Sequence, residues 1–86
     1  LGIVGFTRGV AREFAEYEIT ANCIGPGTID VERDAFQESR PLRPTQPIRR
    51  LGKPEEVVSL MIYLASDNAG FVTGQCYLVN GGMYFH

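Results

Sequence analysis

Residues 19–27 read Ile19-Thr20-Ala21-Asn22-Cys23-Ile24-Gly25-Pro26-Gly27. A short β-branched and apolar run ended by Gly-Pro-Gly is the pattern of a buried strand that enters a sharp loop. Upstream, Ile3, Phe6, Val10, Phe14 and Tyr17 recur at steps of three or four, with Val4, Ala11 and Ala15 beside them. That spacing predicts an amphipathic helix over 1–17, with Arg8, Arg12, Glu13 and Glu16 on its other face. A helix that feeds a buried strand is half of an α/β unit.

Downstream, the segment 28–52 has no sustained period. Residues 31–39 are compatible with one short helix, after which Pro41, Pro44 and Pro47 keep the chain extended. Irregular segments of this length inside compact proteins are usually lids or binding segments, so 30–50 is read as a lid. Pro54 then occupies a first-turn position, Glu55 and Glu56 complement the positive helix end, and Val57, Val58, Met61, Ile62, Leu64 and Ala65 supply an apolar face. The second helix is expected over 54–66. Asp67, Asn68 and Gly70 break it, Thr73-Gly74 turns the chain, and 75–79 reads as a second buried strand before Asn80-Gly81-Gly82. Two strands joined through a long connection containing a helix are most naturally parallel, and a parallel sheet needs helices on both faces. Two helices do not cover it fully, so the chain reads as one segment of a larger α/β domain whose remaining faces are met by further sequence or by other subunits.

The 86 residues are 44% hydrophobic and 21% charged with a formal net charge of −2, the balance of an ordinary globular protein. No apolar run reaches the roughly 18 residues of a membrane span, and the opening residues lack the pattern of a signal peptide. The expectation is a soluble, cytoplasmic chain without a membrane partner. The only histidine is His86, so no Ser and His stand together for a hydrolase triad, and Cys23, Cys76 and His86 fall on separate elements, which predicts no metal site. The cysteines read as reduced, buried strand residues, the alternative being a disulfide between neighbouring strands. Neither a Walker pattern nor Gly-x-Gly-x-x-Gly occurs. Arg40, Arg43, Arg49, Arg50 and Lys53 lie in a stretch without acids. With no aromatics interleaved and a net negative chain, this favours a solvated lid or an anion-steering rim over nucleic acid. Gly25-Pro26-Gly27 admits two readings, a plain strand-ending turn or a loop whose backbone meets a ligand just outside the end of a parallel strand.

The stretches GFTRGVARE, ITANCIGPGTID and RRLGKPEEVVSLMIYLASDNAGFVTGQCYLVNGG resemble, in order and spacing, the C-terminal part of the short-chain dehydrogenase/reductase family, especially its 3-oxoacyl-acyl-carrier-protein reductase-like members. The residues carrying the resemblance are Asn22 with Pro26-Gly27, Gly52-Lys53-Pro54-Glu55-Glu56, Leu64-Ala65-Ser66, and Thr73-Gly74 with Asn80-Gly81-Gly82. It implies the last two parallel strands of a single Rossmann-type, doubly wound domain, with 1–86 as its C-terminal segment. It also implies NAD or NADP as cofactor, with Pro26, Gly27, Thr28 and Ile29 lining the nicotinamide and the Ile29 backbone near its carboxamide. Val31, Phe36, Arg43 and Arg49 would belong to the substrate lid, and Arg40, Arg43, Arg49 and Arg50 are read as steering an anionic substrate such as an acyl-carrier or coenzyme A thioester. At Val31 the chain departs from relatives that often carry Thr.

The family's Tyr-x-x-x-Lys pair, Ser, Asn and glycine-rich loop have no counterpart in the chain. Lys53 is its only lysine, and the position four before it is Arg49. The resemblance places the pair upstream, its Lys just before Leu1. The implied activity is hydride transfer between nicotinamide and a carbonyl or secondary alcohol, in a homotetramer that uses helix 1–17 in one contact and the second helix, last strand and tail in another. The apolar tail Met83-Tyr84-Phe85 suits such a contact or an ordinary one within the chain. A non-catalytic interaction module derived from the same fold is the alternative.

Overall fold

The computed structural model describes residues 2–30 and 42–85. The short helix expected over 31–39, with Val31, Phe36 and Arg40, lies outside the described residues. The ordered elements are helix α1 (Gly2–Phe14), strand β1 (Cys23–Pro26), helix α2 (Pro54–Leu64) and strand β2 (Cys76–Val79). Single 3₁₀ turns follow each helix, at Ala15–Tyr17 and Asp67–Ala69. The expected order of helix, strand, connection, helix and strand is the order found.

The strands are parallel, with Cys23, Ile24, Gly25 and Pro26 opposite Cys76, Tyr77, Leu78 and Val79. Such pairing lets alternate residues of one strand bond the same neighbour. Cys23 N–H donates to Gln75 O at 2.9 Å and Gly27 N–H to Val79 O at 2.8 Å, so the odd-numbered residues of β1 face β2. Pro26 therefore falls on the opposite edge, where its missing N–H costs this ladder nothing.

The strand expected over 19–24 begins later and runs through Pro26. Its entrance is held by side chains in place of a ladder. Asn22 Nδ2 donates to Val72 O at 3.0 Å while Asn22 Oδ1 accepts from Gln75 N–H at 3.1 Å. Thr73 Oγ1 accepts from Ala21 N–H at 3.0 Å, and Gly74 N–H reaches Ala21 O at 2.7 Å. Gly74 makes this turn at φ 73°, a left-handed conformation that glycine adopts without strain.

Cys23 and Gly25 share one sheet face with Cys76 and Leu78, because register partners project together and alternate residues oppose. Helix α1 lies against β1 on that side, with Ala11 close to Gly74. The other face carries Ile24 and Pro26, which form a groove with Val57, Met61 and Leu64 of α2. The sheet is thus flanked by one helix on each face, as βαβ chemistry requires.

The large stripe of Ile3, Phe6 and Tyr17 does not face the sheet; these residues are 69%, 72% and 64% exposed. Thr7 and Ala11 are the buried positions, because small side chains let α1 approach the Thr73-Gly74 turn closely. The cysteines are half-buried and not fully enclosed. Among the described residues Ala11 and Ala69 are the only buried apolar ones. The sheet organises the chain, but much apolar surface is left uncovered.

Candidate functional site

The site begins where β1 ends. Gly27 crosses Asn80 so closely that a Cβ on residue 27 would stand 2.8 Å from both Asn80 Cα and Asn80 Cβ. No ordinary side chain fits there, so the glycine is dictated by the approach of the turn that follows β2. That turn, Asn80-Gly81-Gly82, holds Gly81 and Gly82 at φ 64° and 87°, with Asn80 Oδ1 accepting from Gly82 N–H at 3.0 Å.

Past Gly27 the chain extends again and forms a parallel bridge between Ile29 and Gly52. Gly52 N–H donates to Thr28 O at 2.9 Å, and Asp30 N–H donates to Gly52 O at 2.8 Å. Residues 28 and 30 thereby straddle Gly52. Alternation in an extended chain turns the Ile29 N–H and C=O to the opposite side. Neither group takes a backbone partner among the described residues. A donor and an acceptor with fixed geometry are thus displayed just outside the carboxyl end of a parallel strand, where open α/β sheets bind ligands.

Two adjoining cavities flank this backbone. One, of about 300 Å³, is lined by Pro26, Gly27, Thr28, Arg43, Asn80 and Tyr84. The other, of about 310 Å³, is lined by Thr28, Ile29, Arg50, Glu56 and Gly81 among others. Thr28 and Gln46 belong to both. Pro26, Gly27, Thr28 and Ile29 are therefore one continuous wall, and Arg43 also lines the first cavity.

The base of the expected lid is fastened down. Gln46 is buried at 4% exposure, and its Nε2 donates to Ile48 O at 2.6 Å and Arg50 O at 2.8 Å. Ile48 N–H donates to Gly81 O at 3.0 Å. Arg49, expected to steer substrate, directs Nη1 to the carbonyls of Arg43, Pro44 and Gln46 at 2.6, 3.2 and 3.3 Å. Its guanidinium organises the segment that carries Arg43. Arg50, likewise expected to steer substrate, instead donates from Nη1 and Nη2 to the two carboxylate oxygens of Glu56 at 2.7 and 2.9 Å. Glu56 also accepts from Lys53 N–H at 3.0 Å, closing the first turn of α2. The Arg50 hydrogen bonds, followed by that of the Lys53 backbone, hold the Glu56 carboxyl at about 2, below its ordinary 4.5. Among the described residues of the basic cluster, Arg43 is exposed and lines the first cavity, while Arg50, paired with Glu56, lines the second.

Sequence reasoning passed over Gln46 and the role of Glu56. Gln46 lies between prolines in a segment without period, so nothing marked it as buried; the Glu56 partnership needed the fold to bring Arg50 back to α2. Asn80-Gly81-Gly82 was visible as a turn, and its contact with Gly27 was not. Among the described residues no three His, Cys, Asp or Glu side chains gather as metal ligands, and no helix is long and apolar enough to cross a membrane.

The family profile described as enoyl-(acyl carrier protein) reductase matches residues 1–84. Among curated proteins the chain is 44% identical over 86 residues to a 3-oxoacyl-acyl-carrier-protein reductase of Pseudomonas aeruginosa, covering 96% of this chain and 35% of that protein. It is 43% identical over 88 residues to an acetoacetyl-CoA reductase of Rhizobium meliloti, covering 98% and 36%. A solved structure from Escherichia coli str. K-12 that carries the name of an oxidoreductase superposes with a TM-score of 0.75 at 32% identity, over 94% of this chain and 30% of that one. The chain thus spans about a third of the length of the curated relatives it matches.

Proposed function

The chain belongs to the short-chain dehydrogenase/reductase family, on its 3-oxoacyl-acyl-carrier-protein reductase-like side, and from that premise we propose that it is the C-terminal segment of an NAD(P)-dependent oxidoreductase. The reaction is reduction of a carbonyl, of the 3-oxoacyl thioester class, or oxidation of the corresponding secondary alcohol. The observation that carries this reading is the Pro26–Ile29 wall with the outward amide and carbonyl of Ile29. A primary carboxamide carries both a donor and an acceptor, and residue 29 offers their complements from a single backbone position. The residues present therefore fit a nicotinamide.

When bound, NAD or NADP supplies the redox chemistry. The chain's own part is to hold and enclose. Pro26 and Gly27 form a flat, side-chain-poor surface for close approach, Thr28 adds a hydroxyl between the two cavities, and the Ile29 backbone orients the amide group. Arg43 supplies positive charge to the first cavity, which suits the phosphate of an acyl-carrier or coenzyme A thioester. Arg49 acts through Arg43, by ordering the backbone that carries it. Val31 and Phe36 complete the lid in this reading. The Tyr and Lys that move the proton in the family belong to upstream sequence, with the Lys lowering the phenol's pKa so that it works near neutral pH. The outward stripe of Ile3, Phe6 and Tyr17 on α1 is the surface of one homotetramer contact, and α2, β2 and the exposed tail at Tyr84 and Phe85 serve another.

The test is turnover of acetoacetyl-CoA with NADH and with NADPH by the full-length protein. Oxidation of either cofactor that depends on the thioester supports the reading. Failure to bind or oxidise both would overturn it. Arg43→Ala should raise KM for the thioester more than for a neutral ketone, whereas an equal change for both would remove Arg43 from substrate recognition.

A further inference from the structure

The sheet places Cys23 and Cys76 directly opposite each other in the parallel ladder. Register partners project to the same face, so both thiols stand on the α1 side of the sheet, free and half-exposed. A groove lined by Arg8, Ala11, Arg12, Thr73 and Gln75 opens at that same side. The Cys76 thiol pKa is raised, first by its Cys23 neighbour and then by burial, while Arg8 opposes both.

Neighbouring strands lie about 4.7–4.9 Å apart, and the Cβ atoms of a directly paired position start near that separation. A disulfide wants its Cβ atoms about 3.5–4.5 Å apart. A trivalent arsenic centre placed between two sulfurs holds them well beyond the roughly 2.05 Å of a direct sulfur–sulfur bond. A one-atom bridge therefore spans paired strand positions whose Cβ atoms stand farther apart than a disulfide prefers.

We propose that Cys23 and Cys76 form a dithiol site that captures one trivalent arsenic centre and ties β1 to β2. With an arsenoxide, two S–As bonds form, two S–H bonds break, and the oxygen leaves with both protons as water. Arsenic stays trivalent, so no oxidant is required, unlike closure to a disulfide. The capture position lies three residues before Pro26, in the strand whose end forms the candidate nicotinamide wall. The proposal stands on the register alone and holds whether or not that reading of the wall is correct.

Phenylarsine oxide added to the reduced, folded protein, followed by maleimide and peptide mapping, tests it. The expected result is one arsenical bridging Cys23 and Cys76, maleimide labelling at both positions down to background, and release by a dithiol but not by a monothiol. Full maleimide labelling at either cysteine after the arsenical would overturn the proposal, as would capture seen only in denaturant. Cys23→Ser and Cys76→Ser should each abolish dithiol-reversible capture; an adduct that survives either change would also overturn it. The wild-type labelling pattern decides the matter even where a variant folds poorly.

Discussion

Gly27 is the residue on which the site turns. Its place beside Asn80 leaves no room for a Cβ, and the obstacle is backbone that cannot rotate away. Gly27→Ala should therefore cost about 1–3 kcal/mol of stability, the usual range for overpacking, and should weaken nicotinamide binding in the full-length protein. Thermal unfolding and cofactor titration check the two effects; an unchanged melting temperature would mean that the turn after β2 yields easily. Gly25 is more permissive, since the atom it would meet is the far end of Leu78. The second residue-scale prediction concerns Glu56, whose carboxyl is held at about 2 by Arg50 and the Lys53 N–H. A value depressed in the folded state stabilises fully above the unfolded value near 4.5, and that contribution is lost as the pH falls toward about 2. An NMR titration of the Glu56 side chain should show its midpoint far below 4.5, rising with added salt because the pair is exposed. A midpoint near 4.5 would mean that the Arg50 pair does not persist in solution. At this scale Gly27, Pro26 and Asn80 were legible because turn residues announce themselves, whereas Gln46 was not, since a burial created by distant segments leaves no local mark.

At the scale of elements, β1 and β2 were legible from apolar runs, and α1 and α2 from their period. Their boundaries were less so. The β1 run of 19–24 looked like strand throughout, yet Asn22 and Thr73 use side chains to bond the opposite backbone and so replace the ladder at its entrance. Asn22→Ala removes two such bonds and leaves Val72 O and Gln75 N–H to find new partners, a loss of roughly 1–3 kcal/mol. Denaturant unfolding of the full-length protein checks this; no change would show that water replaces the amide at that edge. Residues 42–50 behave as an element in their own right. Gln46→Leu keeps the volume but removes both Nε2 bonds, so the Ile48 amide, bonded to Gly81 O, should exchange with solvent faster. Unaltered exchange at Ile48 would mean that the Gly81 contact alone anchors residues 42–50. The period of α1 was legible, but the residues that meet the sheet were not, because periodicity reports an apolar stripe and not the partner it serves.

At the scale of the molecule, much apolar surface is left uncovered among the described residues. Phe6, Phe71 and Phe85 are 72%, 103% and 89% exposed, far more than a self-sufficient small core would leave. In the reading proposed above, α1 meets a second copy, and Phe6→Glu should convert the tetramer of the full-length protein to smaller species in sedimentation velocity. A tetramer that survives this charge would place the contact elsewhere. The cofactor claim is tested most directly by nitrogen-15 labelling of isoleucine in the full-length protein and titration with NAD and NADP. The Ile29 amide should move in a saturable manner with at least one of the two, at the same midpoint as the overall binding isotherm. Saturable binding that leaves the Ile29 amide unmoved would contradict the assignment of the β1 carboxyl end as the nicotinamide wall.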